Sequence, residues 1–148
     1  MKSLRLILSN PRYFGPAWVF ASLNMWFGTW AIYIPRVSEN LRIDKAELGF
    51  AIFFLSLGIF TIFPVAARIV NRLGAGRATW YGVVLCSIFA FFPLIAPNYY
   101  TLMAALFFFG ATNGLTDIAM NTLVTEVEKK DGQNFMSAAH GFFSLGGV

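Results

Sequence analysis

One cysteine, Cys86, and one histidine, His140, occur in this sequence. A lone cysteine closes no intrachain disulfide, and within an apolar run it reads as a small buried hydrophobe. One histidine and one cysteine do not make a metal site, so no metal is expected. Acidic residues number only seven against eleven basic ones, and charged residues make up 12% of the chain. Soluble domains carry about a quarter, so too few polar residues are present to coat a water-facing surface. The basic residues form no stripe with interleaved aromatics, which argues against nucleic acid as a partner. No phosphate loop or Ser/His/Asp spacing occurs. The sequence therefore implies neither a cofactor nor an enzyme.

What the chain has instead is apolar length. Tyr13–Pro35 is 23 residues without a charge, Leu48–Ala67 is 20 and Ala78–Pro97 is 20. Asn98–Thr125 is 28 residues broken only by Asp117. Crossing about 30 Å of hydrocarbon at about 1.5 Å per residue takes roughly 20 residues. Backbone groups in lipid must pair within their own segment, so such runs are helices. The expectation is an all-α membrane protein with spans at about 14–35, 47–67, 78–97 and 100–124. A fifth begins near Phe135, and Phe135–Val148 is 14 residues, about 21 Å of helix. We therefore expect four full spans and part of a fifth, the first part of a longer protein. The first run is too long for a signal peptide's apolar region and lacks a small-x-small cleavage site.

The basic residues sort by loop. With a cytosolic N-terminus, eight of them lie inside: Lys2, Arg5, Arg12, Arg68, Arg72, Arg77, Lys129 and Lys130. Three lie outside: Arg36, Arg42 and Lys45. The positive-inside rule then places the N-terminus in the cytosol of a bacterial inner membrane. Membrane lipid is the expected partner of the net positive charge. The outer loop Arg36–Ala46 ends in Asp44 and Glu47, the spacing of a capping box that opens the second span. Tyr99 and Tyr100 in the third loop suit interfacial depth.

Asp117 poses the chemical question. Asn113, Asp117 and Asn121 follow at i, i+4 and i+8, drifting only about 40° per step, so they form one polar stripe on a helix. Gly110 and Gly114 flank that face and admit a close neighbour. A carboxylate at mid-membrane costs about 2.5–3.5 kcal/mol on insertion scales. One reading makes the stripe interhelical glue. The other makes Asp117 a protonatable group on a transport path, and asparagines alone would have served as glue. In the first span Trp26, Trp30 and Tyr33 form an aromatic face suited to a sugar ring or to packing. Asn24 and Gly28 are candidates to line a cavity, and Trp18 reads as an interfacial anchor. His140, with Ser137 and Ser144, makes a polar face entering the fifth span. It is either a hydrogen-bonded helix contact or a proton or solute contact.

The segment Ala67-Arg-Ile-Val-Asn71-Arg72-Leu-Gly74-Ala-Gly76-Arg77 resembles the loop signature of the major facilitator superfamily, Gly-x-x-x-Asp-Arg-x-Gly-Arg-Arg. Asn71, Arg72 and Gly74 align with its Asp, Arg and second Gly. Ala67 replaces the first Gly, and Arg77 comes one place late. The resemblance implies a gate loop built on Asn71, Arg72, Gly74 and Arg77. Asp117-Ile-Ala-Met-Asn121 resembles an acidic-x-x-x-Asn element of fucose-permease-like transporters. Gly28-Thr-Trp-Ala-Ile-Tyr-Ile-Pro35, Glu47-Leu-Gly49 and His140-Gly-Phe-Phe-Ser-Leu-Gly146 are similar to that branch too. What this implies is proton-coupled uptake of a small polar solute, such as a sugar, with Asp117 as the proton site. Trp30, Asn113, Asn121, Asn24, Gly28 and His140 become solute-contact candidates. A C-terminal bundle would complete the protein. The branch also carries an acid in its first span, and Tyr13–Pro35 has none. Efflux of amphipathic compounds by an antiporter is the alternative, as is a chain that transports nothing alone.

Overall fold

The computed structural model describes residues 2–147. Among these the chain is helical, with no strand: α1 (Lys2–Ser9), α2 (Pro11–Leu41), α3 (Lys45–Leu73), α4 (Ala75–Phe91), α5 (Tyr99–Asp131) and α6 (Met136–Gly146). A 3₁₀ turn, Phe92–Ile95, extends α4. Among the described residues, α3, α4 with its 3₁₀ extension, and α5 are long and apolar enough to cross a membrane. The 31-residue α2 is diluted by Ser22, Asn24, Thr29 and its indole and phenol side chains. It falls outside that group despite its length.

Helix boundaries follow local chemistry. Asp44 Oδ1 accepts from the Glu47 amide at 2.8 Å, and Glu47 Oε2 accepts from the Asp44 amide at 2.9 Å. That is the capping box expected from the sequence. Asn98 and Thr101 make a second one at the start of α5. Threonine hydroxyls within the spans return to their own helix. Thr79 donates to the Ala75 carbonyl and Thr116 to that of Thr112, so these hydroxyls need no partner from lipid.

Two loops expected from the sequence are mostly helix. Pro35 does not end the first span, because a proline removes only one backbone bond and bends a helix without stopping it when its flanks are paired. α2 continues to Leu41 and stops at Arg42, whose left-handed φ of 54° turns the chain. α3 likewise runs to Leu73, and a single residue, Gly74 at φ 80°, joins it to α4. The N-terminal segment, read only as a cytosolic end, forms the separate helix α1. Asn10 breaks it from α2, extended at φ −142° and capping through its side chain to the Arg12 amide at 3.0 Å.

The helices pack in two groups. α5 lies against α3 on one side and α4 on another, while α2 pairs with α6 and touches α5 more lightly. Hydrocarbon solvates apolar side chains as well as a protein does, so close packing of small residues supplies the cohesion. A Cβ on Gly58 would run into the Phe107 carbonyl, and one on Gly110 into the Leu55 carbonyl. Each glycine thus admits the other helix's backbone at one crossing. Gly146 seats on the backbone of Ala21 in the same manner and joins α6 to α2. Phe20, Leu102, Leu106, Phe109, Met120 and Phe135 fill the core. Phe50, Phe53, Phe60 and Phe63 of α3 and Trp80 and Ile88 of α4 point outward, as bilayer-facing surfaces do.

Candidate functional site

Asp117 stands past the middle of α5 and is exposed. Its carboxylate accepts from the Asn121 amide at 3.2 Å, and the same amide nitrogen donates to the Asp117 carbonyl at 2.8 Å. One helical turn therefore orients the acid. On α6, the His140 ring sits 4.6 Å from that of Phe20 on α2. His140 is itself exposed. α2 and α6 thus meet at Phe20 and His140, while Asp117 and Asn121 form their pair within α5.

The expected polar stripe divides between environments. Asn113 is buried and reaches the Cys86 sulfur at 4.0 Å, on the α4 side. Gly110 and Gly114 lie against α3. Only Asp117 and, partly, Asn121 open outward. A drift of about 40° per step, over helices that diverge from their crossing, separates residues that one turn would keep together. Cys86 is a free, buried thiol.

Three first-span candidates have structural duties. Asn24 Nδ2 donates to the Phe143 carbonyl of α6 at 2.8 Å. A Cβ added to Gly28 would lie 3.8 Å from the Gly147 carbonyl oxygen. Trp30 is buried in the core, so the aromatic face divides: Trp26 stacks edge-on against Phe91 and Tyr33 alone is exposed. The Asn24 bond satisfies a carbonyl near the end of α6, a partner more than a hundred positions away that no local spacing reveals.

The gate-loop residues are exposed at a helix–helix corner. Asn71 and Arg72 belong to the last turn of α3, and Arg77 to the first of α4. Among the described residues the ion pair present is Arg12 with Asp131, at 3.1 Å, so Arg72 and Arg77 have no acidic partner there.

Sequence reasoning missed a polar cluster at the opposite end of the α2–α6 pair from Asn24. The Tyr13 hydroxyl donates to Asp131 Oδ2 at 2.9 Å, beside the Arg12–Asp131 pair. Glu128 Oε1 accepts from the Phe135 and Met136 amides at 2.6 and 2.7 Å. It caps a helix whose own N-cap position is occupied by Phe135. The hydrogen bond to Asp131 pushes the Tyr13 hydroxyl above its ordinary range, with burial and the carboxylate's charge adding to the effect. In the sequence, Glu126–Asn134 shows only a run of charges, which α5 carries as helix to Asp131.

The family model for the Major Facilitator Superfamily matches residues 4–148. This chain belongs to that superfamily. Its relatives include an uncharacterized transporter of Sinorhizobium fredii, 37% identical over 82% of this chain and 32% of its own length. An uncharacterized MFS-type transporter of Yersinia pestis is 31% identical over 89% of this chain and 34% of its own. The membrane protein MosC of Rhizobium meliloti is 27% identical over 79% and 29%. The chain thus spans about a third of the length of these relatives. No solved structure matches. Major facilitator membership makes this an integral membrane protein of a transporter family, with the pairs α3–α5 and α2–α6 as its framework.

Proposed function

We propose that this major facilitator chain forms part of a proton-coupled secondary transporter that takes up a small polar solute such as a sugar. The observation that carries the reading is Asp117: an exposed carboxylate on a membrane-spanning helix, held by Asn121, without an ion-pair partner among the described residues. An acid serving as glue would be buried against a donor on a neighbouring helix; Asp117 takes its donor from its own helix. The fucose-permease-like pattern of Asp117 and Asn121 supports the same reading. His140 and Asn121 are the solute contacts it favours, since Asn24, Gly28, Trp30 and Asn113 are engaged in packing. The N-terminus is cytosolic in a bacterial inner membrane, and a second bundle closes the pathway from the other side. Each proton carried inward then supplies about 2.3 kcal/mol per 100 mV of membrane potential.

The test is accumulation by the intact transporter in proteoliposomes, against a panel of sugars, with and without a pH gradient. Asp117→Asn abolishes uphill accumulation and leaves solute exchange in part. Accumulation unchanged in Asp117→Asn removes the proton role. Solute loss from loaded vesicles under an imposed inward proton gradient, in place of uptake, reverses the direction to efflux.

A further inference from the structure

Helix α1 is absorbed by neither the pathway nor the packing of the spans. It lies against the starts of α2 and α6, and Ser3 Oγ donates to the Asn134 carbonyl at 3.1 Å. Ile7 is completely buried in the core. The helix is therefore docked at the end of the bundle where α5 ends and α6 begins. At about 100° per residue, Ser3 and Ile7 share the inward face, and Leu4 and Leu8 share the next face round. Leu4 is 48% exposed and Leu8 64%. With Arg5 and Ser9 these two leucines line a shallow apolar groove open to the outside.

We propose that α1 lies in the membrane interface, with Leu4 and Leu8 inserted at the boundary between acyl chains and headgroups and Arg5 on anionic lipid headgroups. Charge at this end of the molecule supports an anionic lipid surface as the occupant. Arg5, Lys129 and Lys130 are exposed there. Of the neighbouring acids, Asp131 is paired with Arg12 and Tyr13, and Glu128 is engaged by the α6 amides. Glu126 alone remains exposed. On the following helix, near the start of α2, exposed Phe14 stacks on exposed Trp18 at 5.9 Å. An apolar edge beside basic residues, next to an indole at a span end, is how a helix lies in an interface.

The test uses spin labels on the intact protein in nanodiscs. The one cysteine of this chain is buried, and Cys86→Ala, with any cysteine outside this chain also replaced, gives a clean background for Leu4→Cys, Leu8→Cys and, as an aqueous control, Gln133→Cys. In nanodiscs containing phosphatidylglycerol, labels at 4 and 8 collide more often with oxygen than with a water-soluble nickel chelate, and the label at 133 does the reverse. Arg5→Gln lowers the ratio of immersed to aqueous label at 8 about fivefold in these discs, the change expected for one basic residue at an anionic surface. It leaves the ratio unchanged in phosphatidylcholine discs. Labels at 4 and 8 as accessible to nickel as that at 133 overturn the proposal. So do labels shielded from both quenchers, which report a protein cover in place of lipid. Immersion independent of Arg5 in both lipids removes the anionic headgroup. Two label sites keep the result readable if one substitution prevents folding.

Discussion

The Tyr13 hydroxyl donates to Asp131 across 118 positions of sequence, and the same carboxylate holds Arg12. The start of α2 is thereby fixed to the end of α5, two helices that otherwise touch lightly. The hydroxyl is the donor, so losing its proton breaks the bond and places two negative charges side by side. With its pKa raised in the folded protein, Tyr13 contributes stability that is fully present below the unfolded value of about 10. That contribution is lost as pH rises through the higher folded value. Ultraviolet difference titration of wild type against Tyr13→Phe should show a phenol ionising later than free tyrosine. Asp131→Asn should bring it back toward pH 10 and lower the melting temperature near neutrality. A Tyr13 transition unmoved by Asp131→Asn would contradict the assignment.

Glu128 caps α6 from a distance, through two amides that have no local side-chain partner. Glu128→Ala is expected to destabilise the fold by about 0.5–2 kcal/mol, the range for losing an N-cap. Glu128→Gln, which keeps an acceptor oxygen, should recover part of it. Unfolding in a denaturing detergent titration measures both; equal loss in the two variants would assign the effect to charge.

At the α3–α5 crossing, Gly110→Ala places a methyl against the Leu55 carbonyl. Backbone cannot yield as a flexible side chain does, and overpacking of this kind costs about 1–3 kcal/mol. Gly15→Ala is the control: its Cβ would meet nothing within 4 Å. Alanine there should be neutral or stabilising by up to about 1 kcal/mol, through helix propensity. The two variants should therefore differ in sign, or nearly so, in the same thermal denaturation assay.

Gly74 carries the whole turn between α3 and α4 at φ 80° and ψ 149°, a region that residues with a Cβ avoid at about 1–3 kcal/mol. Gly74→Ala should lower stability by that order, although nothing lies within 4 Å of its Cβ position. Arg72→Gln and Arg77→Gln, which break no ion pair among the described residues, should leave stability within about 0.5 kcal/mol. Should the arginine variants fall as far as Gly74→Ala, the corner is held by their charge.

The helices were legible because their signal is local. Charge-free runs mark the apolar stretches, and the Asp44–Glu47 box is read within four residues. Gly74 was legible as part of a loop, though not as a turn of one residue, because Pro35 and the arginines at 36, 68 and 72 look like loop chemistry while remaining helical. The site was legible in part. Asp117 and Asn121 are a turn apart, and the structure joins them. Asn24, Trp30 and Asn113 were polar or aromatic residues in a span, and spacing alone does not say whether such a residue faces a cavity or a neighbouring helix. Their partners, Phe143, the core and Cys86, are set by the tertiary packing. Tyr13–Asp131 and Glu128–Phe135 were hidden for the same reason, and α1 because its apolar edge is only two leucines wide.

Gly58 and Gly110 have a mechanical meaning as well as an energetic one. Each receives a carbonyl of the opposite helix into the gap left by a missing side chain. Two such pegs, set in opposite directions, oppose both sliding along the helix axis and rolling about it. Side chains can exchange rotamers to let helices slip; a main-chain carbonyl has no such freedom. Displacement of α3 along its axis therefore carries α5 with it more readily than side-chain packing alone would ensure. Gly74 adds α4 to the same body with only one residue of slack. The α2–α6 pair touches this three-helix block more lightly than the block's helices touch one another, so the looser seam of the molecule lies between the two.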